Sequence, residues 1–206
     1  MNHRVDWRIV ALHTPIVSRR CPRCNTRQSF ICNDKFRING QGRRLDVWLI
    51  YKCKYCEQGW LFTILSRVTP ESIPPDLLQA FTDNDEATAW KYAFDHESLR
   101  RNDADADIKV ETRIDGPEVD LDTLEAKTLE IHIDFDYFTR MRLDALLGSR
   151  LPLSRKMLEK LHAAKKLTIE PAFQDDLGKQ IKRPVVVMLD VAAARELIKR
   201  PAPEAI

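Results

Sequence analysis

The apolar positions of the chain change period along its length, and each change predicts an element. In the first third they alternate. Phe36 and Ile38 interleave with Lys35 and Arg37, and Val47, Leu49 and Tyr51 interleave in phase before Cys53. Period two marks a half-buried strand, and Asn39-Gly40-Gln41-Gly42 between the runs supplies a turn, so the pattern predicts a long β-hairpin. Trp7, Ile9 and Val10 predict a strand ahead of it, ended by a turn at His13-Thr14-Pro15. Trp60-Leu61-Phe62-Thr63-Ile64-Leu65, rich in strand formers, is expected to close the same sheet.

Beyond Thr69-Pro70 and Pro74-Pro75 the period lengthens. Asp76 to Phe81 and Asp85 to Asp95 read as helices, the second with Ala87, Trp90 and Phe94 on one face. Asn102-Asp103-Ala104-Asp105-Ala106-Asp107 reads as a solvated loop, and it lacks the glycine and the closing glutamate of an EF-hand, which excludes that calcium site. Alternation returns at Ile108, Val110, Thr112 and Ile114 and again at Leu129, Ile131, Ile133 and Phe135, predicting two half-buried strands. His132, Asp134 and Asp136 share the polar side of the second; a metal or acid/base cluster has this pattern, but so does any wet sheet face, which is the expectation.

In the last third Leu143, Leu146, Leu147 and Leu151 form one helical stripe before Pro152 turns the chain. Ser154 is a good N-cap for a second helix, and Leu153 can staple to Leu158 across it. At about 100° per residue, Met157, Leu158, Leu161 and Ala164 fall on one arc of that helix and Arg155, Lys156, Lys160 and Lys166 on the other. Leu167-Thr168-Ile169 and Val185 to Leu189 predict strands with Lys179, Lys182 and Arg183 between them, and Val191 to Arg200 predicts a final helix.

Composition narrows the class. With 206 residues, 44% apolar and 31% charged, the chain can bury a core. Its longest apolar run, Val185-Val186-Val187-Met188-Leu189, is far short of the roughly 20 residues of a membrane helix, and Met1 to Ala11 carries Arg4, Asp6 and Arg8 rather than an export signal, so a cytoplasmic protein is expected. Neither a phosphate-binding loop nor a dinucleotide fingerprint is present, and His13, His96, His132 and His162 sit in no catalytic motif, so no enzyme is expected. Charge is strongly segregated. Residues 1–68 hold 13 Lys and Arg against 4 Asp and Glu, residues 69–138 hold 6 against 19, and residues 139–206 hold 14 against 8. The acidic middle either neutralises the basic ends within the fold or faces solvent while the ends bind polyanions.

The most specific chemistry lies in two matching pairs, Cys21-Pro22-Arg23-Cys24 and Cys53-Lys54-Tyr55-Cys56. A two-residue gap lets one tight turn aim both sulfurs at one ion, and two such turns complete the four-thiolate shell that zinc prefers. The 28 residues between the pairs exceed the usual spacing, and the long hairpin brings the second turn back to the first. A disulfide framework would need export and a redox dithiol would need only one pair. With four sulfurs in the shell no position remains for an activated water, so the expected cofactor is one structural zinc per chain. Arg19, Arg20 and Arg23 crowd the first turn, where stabilising thiolates is the default role and phosphate binding the alternative. Tyr55 and Trp60 are expected to be hydrophobic cover, and Cys32, in Phe30-Ile31-Cys32, a small buried hydrophobe.

The fold class is thus α+β: an N-terminal antiparallel zinc ribbon over residues 1–68, a small acidic helical and β region over 69–138, and a helix-helix-β-hairpin unit over 139–206. The run over about 140–190 resembles the ribosomal-protein S-four-type RNA-binding domain, with Arg142 and Asp144 in its opening R-L-D motif, Ser154 and Arg155 at the start of its second helix, and Lys182 in its basic hairpin. Where that family turns through V-N-G-K, this chain reads Glu170-Pro171-Ala172-Phe173. The resemblance implies that Arg142, Arg155, Lys156, Lys160, Lys182 and Arg183 offer cations to structured RNA. Most of the chain also resembles the uncharacterised bacterial domain-of-unknown-function family ten-sixty-two, through Arg20-Cys21-Pro22-Arg23-Cys24, Lys35 to Gly40, Leu45 to Tyr51 and Cys53-x-x-Cys56. That family carries no assigned activity. The expected function is a non-enzymatic, zinc-stabilised RNA-binding protein acting on ribosomal or transfer RNA or on a ribosomal component. Its rival is a zinc-ribbon adaptor that binds another protein and no nucleic acid. No sequence feature sets an oligomeric state.

Overall fold

A computed structural model of the chain describes residues 2–107, 110–171 and 176–199. Its elements run β1 (Asn2–Ala11), β2 (Ile16–Arg20), β3 (Arg27–Gln41), β4 (Arg44–Cys53), β5 (Gly59–Val68), α1 (Pro75–Asp83), α2 (Glu86–Phe94), α3 (His96–Arg101), β6 (Asp105–Asp107) and β7 (Thr112–Asp115). They continue with β8 (Thr128–Phe135), α4 (Leu143–Arg150), α5 (Arg155–Ala163), β9 (Leu167–Glu170), β10 (Val185–Asp190) and α6 (Val191–Lys199). The class is α+β, with two five-stranded sheets among the described residues.

Compactness divides the chain at 10/11 and 111/112 rather than at the expected 68/69 and 138/139. Residues 11–111 form a ribbon unit, inserted between β1 and the rest of a split unit. The acidic stretch 69–138 therefore gives α1, α2 and α3 to the first and β7 and β8 to the second. Each basic end acquires its own share of acid. Residues 11–111 hold 15 Lys and Arg against 14 Asp and Glu, and the remainder of the chain holds 18 against 17.

The ribbon unit is built on an antiparallel sheet of order β5-β4-β3-β2-β6. β3 and β4 form the expected hairpin, with a shorter loop than Asn39 to Gly42: Gln41 pairs with Arg44, and Gly42 at φ 63 takes the left-handed conformation that a two-residue loop requires. The alternation buries Phe36, Val47, Leu49 and Tyr51 together with Phe62 and Ile64 of β5. Helices cover that side through Phe81, Ala89, Ala93 and Leu99. The inner face of α2 is rotated from the expected one. Phe94 is buried and Trp90 half-buried as expected, but Ala87 is exposed and Ala89 and Ala93 are buried against the sheet, because two alanines four apart let the helix lie close to β3. Asp95 ends α2 and caps α3 by accepting from Ser98 N–H at 2.9 Å. The stretch 102–107 is not simply a solvated loop. Asn102 bonds both backbone groups of Thr63, and Asp105–Asp107 pairs with β2, because the free edge of β2 needs backbone partners whatever the side chains are.

The strand expected at the head of the ribbon belongs to the other sheet, of order β7-β1-β8-β10-β9. β1 runs parallel to β8, with Val5 opposite Ile131 and Trp7 opposite Ile133, and Trp7 Nε1 donates to Pro117 O at 2.9 Å. Only Thr112–Asp115 of the expected strand from Ile108 to Ile114 is a strand; Ile108 and Lys109 lie outside the described residues. β10 pairs antiparallel with both β8 and β9. The leucine stripe of α4, Leu158 and Leu161 of α5, and Val191 and Ala194 of α6 pack on one side of this sheet in a single core. Ser154 caps α5 and Leu153 and Leu158 are both buried in that core. Ala164 is exposed rather than on the apolar arc, because the helix ends at Ala163 and Lys165 turns left-handed at φ 56.

Candidate metal centre

The two cysteine turns are built alike. Cys21 N–H donates to Thr26 O at 2.9 Å and Cys53 N–H to Gln58 O at 3.0 Å. The residue after each pair, Asn25 at φ 56 and Glu57 at φ 59, turns left-handed to close the knuckle. Phe30 of β3 pairs with Cys53 of β4, so the hairpin sets the second knuckle beside the first. Lys54 N–H fixes it there on Ser29 O at 2.8 Å.

The four sulfurs lie within 4.8 Å of one another. Cys21 Sγ is 3.5 Å from Cys56 Sγ, and Cys24 Sγ is 4.0 Å from Cys53 Sγ. These separations are too long for disulfides and bracket the roughly 3.8 Å between sulfurs of a tetrahedral site with zinc-sulfur bonds of about 2.3 Å. The donor set therefore fits a metal ion. Without a cation the Cys21 and Cys24 thiols are driven in opposite directions. Burial raises the Cys21 thiol, but hydrogen bonds from Cys24 N–H, the Cys56 and Cys24 thiols and Arg23 N–H outweigh it and bring Cys21 down to about 7. Cys24, held as a donor to Cys56 and half-buried, is pushed up to about 12. A divalent cation removes this split by compensating all four charges at once.

Around the centre, Cys21 and Cys53 are buried in the ribbon core with Val17, Phe30 and Tyr51. Trp60 is cover, as expected: it meets Phe30 with ring centroids 6.0 Å apart and lies 4.0 Å under the Arg19 guanidinium. Tyr55 is not. It stands 80% exposed at the tip of the second knuckle. A residue between two ligand cysteines points outward because the turn aims the sulfurs inward, and this was the signal available in the sequence. Cys32 lies apart from the sulfur cluster; burial, and then the Asp34 carboxylate, push its thiol up to about 12.

The six candidate RNA-binding cations divide. Asp144, only 6% exposed, accepts from Arg142 Nε at 3.0 Å and Nη2 at 2.5 Å, and Arg155 Nε lies 3.3 Å from the same carboxylate and 3.0 Å from Glu159. Arg142 and Arg155 thus tie the starts of α4 and α5 together. Leu143 and Asp144 N–H donate to Lys179 O and Leu177 O, which joins the segment before β10 to the same node. Lys156 and Lys160 are exposed on α5, Lys182 and Arg183 are exposed after that segment, and the three lysines carry no ion pair among the described residues. On the open side of the split-unit sheet, His132 is 2.5 Å from Glu130, while Asp136 accepts from Arg8 and Asp134 from Phe135 N–H. A groove of about 850 Å³ on this side is lined by Arg4, Asp6, Arg8, His132, Asp134 and Glu170. Among the described residues only the four cysteines bring three or more potential metal ligands together.

Among the described residues no helix is long and apolar enough to cross a membrane. No curated protein and no solved structure matches the chain. The family model described as protein of unknown function (DUF1062) matches residues 38–172, a span that takes in Cys53, Cys56, the acidic stretch and both leucine helices but begins after Cys21 and Cys24. The chain belongs to the DUF1062 family.

Proposed function

We propose that this is a non-enzymatic, cytoplasmic RNA-binding protein whose ribbon unit is held by one structural zinc ion on Cys21, Cys24, Cys53 and Cys56. Zinc is favoured over other ions by four sulfur donors at tetrahedral separation in a half-buried site. The main support for RNA is one feature of α5: Leu158 and Leu161 face the core, which leaves Lys156 and Lys160 outward with no acidic partner. Cations of this kind, with Lys182, match the phosphates of structured RNA, of a ribosomal or transfer type, rather than base edges. Arg142 and Arg155 hold the surface in shape and contribute little charge to it. A second reading, a zinc-ribbon adaptor that binds a protein, is favoured by the near-neutral charge of each unit.

The test is a salt titration of binding to a paired RNA hairpin for the original protein and for Lys156→Glu/Lys160→Glu. Affinity should fall in the variant at every hairpin sequence, with helix and zinc content unchanged. Equal affinity and equal salt slope would remove α5 and leave the adaptor.

A further inference from the structure

The ribbon unit is close to neutral as a whole, yet its charges are sorted. Residues 19–54 hold 10 Lys and Arg against 2 Asp and Glu, and residues 75–101 hold 3 against 6. This cationic region carries an apolar strip beside the metal centre. Lys52 pairs with Ile31 across β3, and Ile50 pairs with Leu61 across β5. Alternation puts Ile50 and Lys52 on the side of the sheet away from Leu49, Tyr51 and Cys53, which are buried. Ile31 and Leu61 are 43% and 37% exposed.

Tyr55 follows at the end of β4. Among the described residues its ring enters no aromatic contact, so its exposure gains nothing for the fold. Its backbone is nevertheless fixed by the bonds of Cys53 N–H to Gln58 O, Lys54 N–H to Ser29 O and Glu57 N–H to Cys53 O. Arg23 reaches the same turn from the first knuckle, donating to Cys56 O at 3.3 Å. An open aromatic ring thus stands on a fixed backbone turn that Arg23 also reaches, with Lys52 and Lys54 exposed just before it in the chain.

We propose that the knuckle tip is a stacking site for an unpaired RNA base, with Tyr55 under the base and Arg23, Lys52 and Lys54 on the flanking phosphates. Cations alone would suit any polyanion. The ring selects among them, because a duplex keeps its base faces stacked on each other while a single strand offers them. An acidic peptide would match the cations and leave the ring without a flat partner. The site rests on the RNA reading above, and it takes a different part of the ligand from α5.

The experiment uses the full-length, zinc-loaded protein and two fluorescein-labelled RNAs followed by anisotropy: a uridine dodecamer and a fully paired hairpin. Tyr55→Ala should weaken dodecamer binding about tenfold, within the range of one lost base stack, and leave hairpin binding and zinc content unchanged. Tyr55→Phe, which keeps the ring, should stay within about twofold of the original. Unchanged dodecamer affinity in Tyr55→Ala, or an equal loss in Tyr55→Phe, overturns the proposal. So does a dodecamer that fails to bind while the hairpin binds, a result that leaves the α5 surface standing. Failure of both RNAs removes both, and binding of a poly-glutamate peptide with the same Tyr55 dependence would transfer the tip to a protein partner.

Discussion

Replacing Cys53 by serine tests how far the ribbon unit depends on its four sulfurs. Cys53 is buried at the end of β4, and its sulfur lies 4.0 Å from that of Cys24. A hydroxyl there is a poor ligand for an ion otherwise held by thiolates, so the metal should be lost or held weakly. Structural zinc supplies about 10–16 kcal/mol in small peptides, and a unit of about 100 residues has a total stability of about 5–15 kcal/mol. The two quantities are of one size, so losing the metal removes most of the margin. The loss should also spread beyond the knuckles, because Cys21 and Cys53 share a core with Val17, Phe30 and Tyr51 of β2, β3 and β4.

Each kcal/mol moves the melting point of a unit this size by about 4–8 °C, so even a loss of 5 kcal/mol should lower the ribbon transition by more than about 20 °C. The split unit has a separate core around Trp7, Ile131 and Leu146 and should melt where it did. Differential scanning calorimetry resolves the two outcomes, and limited proteolysis should place new cleavages within residues 11–111 alone. Chelation of the original protein should reproduce the result. A ribbon transition within a few degrees of the original, in protein that mass spectrometry shows to be metal-free, would refute the assignment.

Two further outcomes follow from single residues. With its thiol near 12, Cys32 should react with iodoacetamide at pH 8 about a thousandfold more slowly than an ordinary thiol, and Cys32→Ala should leave zinc content unchanged. The same raised value makes its contribution to ribbon stability fully present below about pH 9 and lost as the pH climbs toward 12, a slope in urea midpoint that Cys32→Ala should remove. Gly116 sits at φ 135, and a Cβ there would stand 2.4 Å from Asp6 O and 2.7 Å from Trp7 Cδ1. Gly116→Ala should therefore destabilise the split unit by about 3 kcal/mol or more, read as an earlier loss of its cooperative transition, and a change under about 1 kcal/mol would mean that β1 and the Gly116 turn separate freely.

The local patterns of the chain were legible because local physics decides them. Period two in Phe36 to Tyr51 and the leucine stripe from Leu143 to Leu151 each specify which side of one element is buried, and those sides are the buried ones. Ser154 and Leu153 name a helix start through contacts within five residues. What sequence order misleads about is pairing. β1 carries the same alternation whether it joins the ribbon or β8, and nothing near Trp7 states that Ile133 is its neighbour. The shift of α2 from Ala87 to Ala89 and Ala93 has the same origin, since large residues mark the usual inner side and only the sheet beneath shows that small ones fit closer. At the metal centre the ligands were legible from spacing alone; the exposure of Tyr55 was implied by its place between two ligand cysteines, but the common tendency of aromatic residues to pack inward near a metal points the other way.

Charge is where the linear and the folded chain differ most, and the difference bears on function. Along the sequence the basic ends flank a stretch with 19 acidic and 6 basic residues; in space that stretch is shared out, and each unit is left with one more cation than anion. Neither unit then has the net field that would draw RNA from a distance. Attraction must come from cations within about one Debye length of the phosphate, roughly 8 Å at physiological salt. Several arginines are unfit for this, since Arg142 and Arg155 meet Asp144 and Arg8 meets Asp136. Among the described residues the cations proposed to act are grouped, Lys156 and Lys160 on α5 with Lys182, and Arg23, Lys52 and Lys54 at the knuckles, and none of the six is in an ion pair. Contact through one such group implies a shallow salt dependence. Two phosphate contacts on α5 correspond to a slope of about −1.4 to −1.8, so reversing both lysines should remove nearly all of the salt dependence of hairpin binding that α5 provides. A slope many units steeper in the original protein would mean that a broad field acts after all, and that the acidic residues counted into each unit do not neutralise the basic ones as their placement requires.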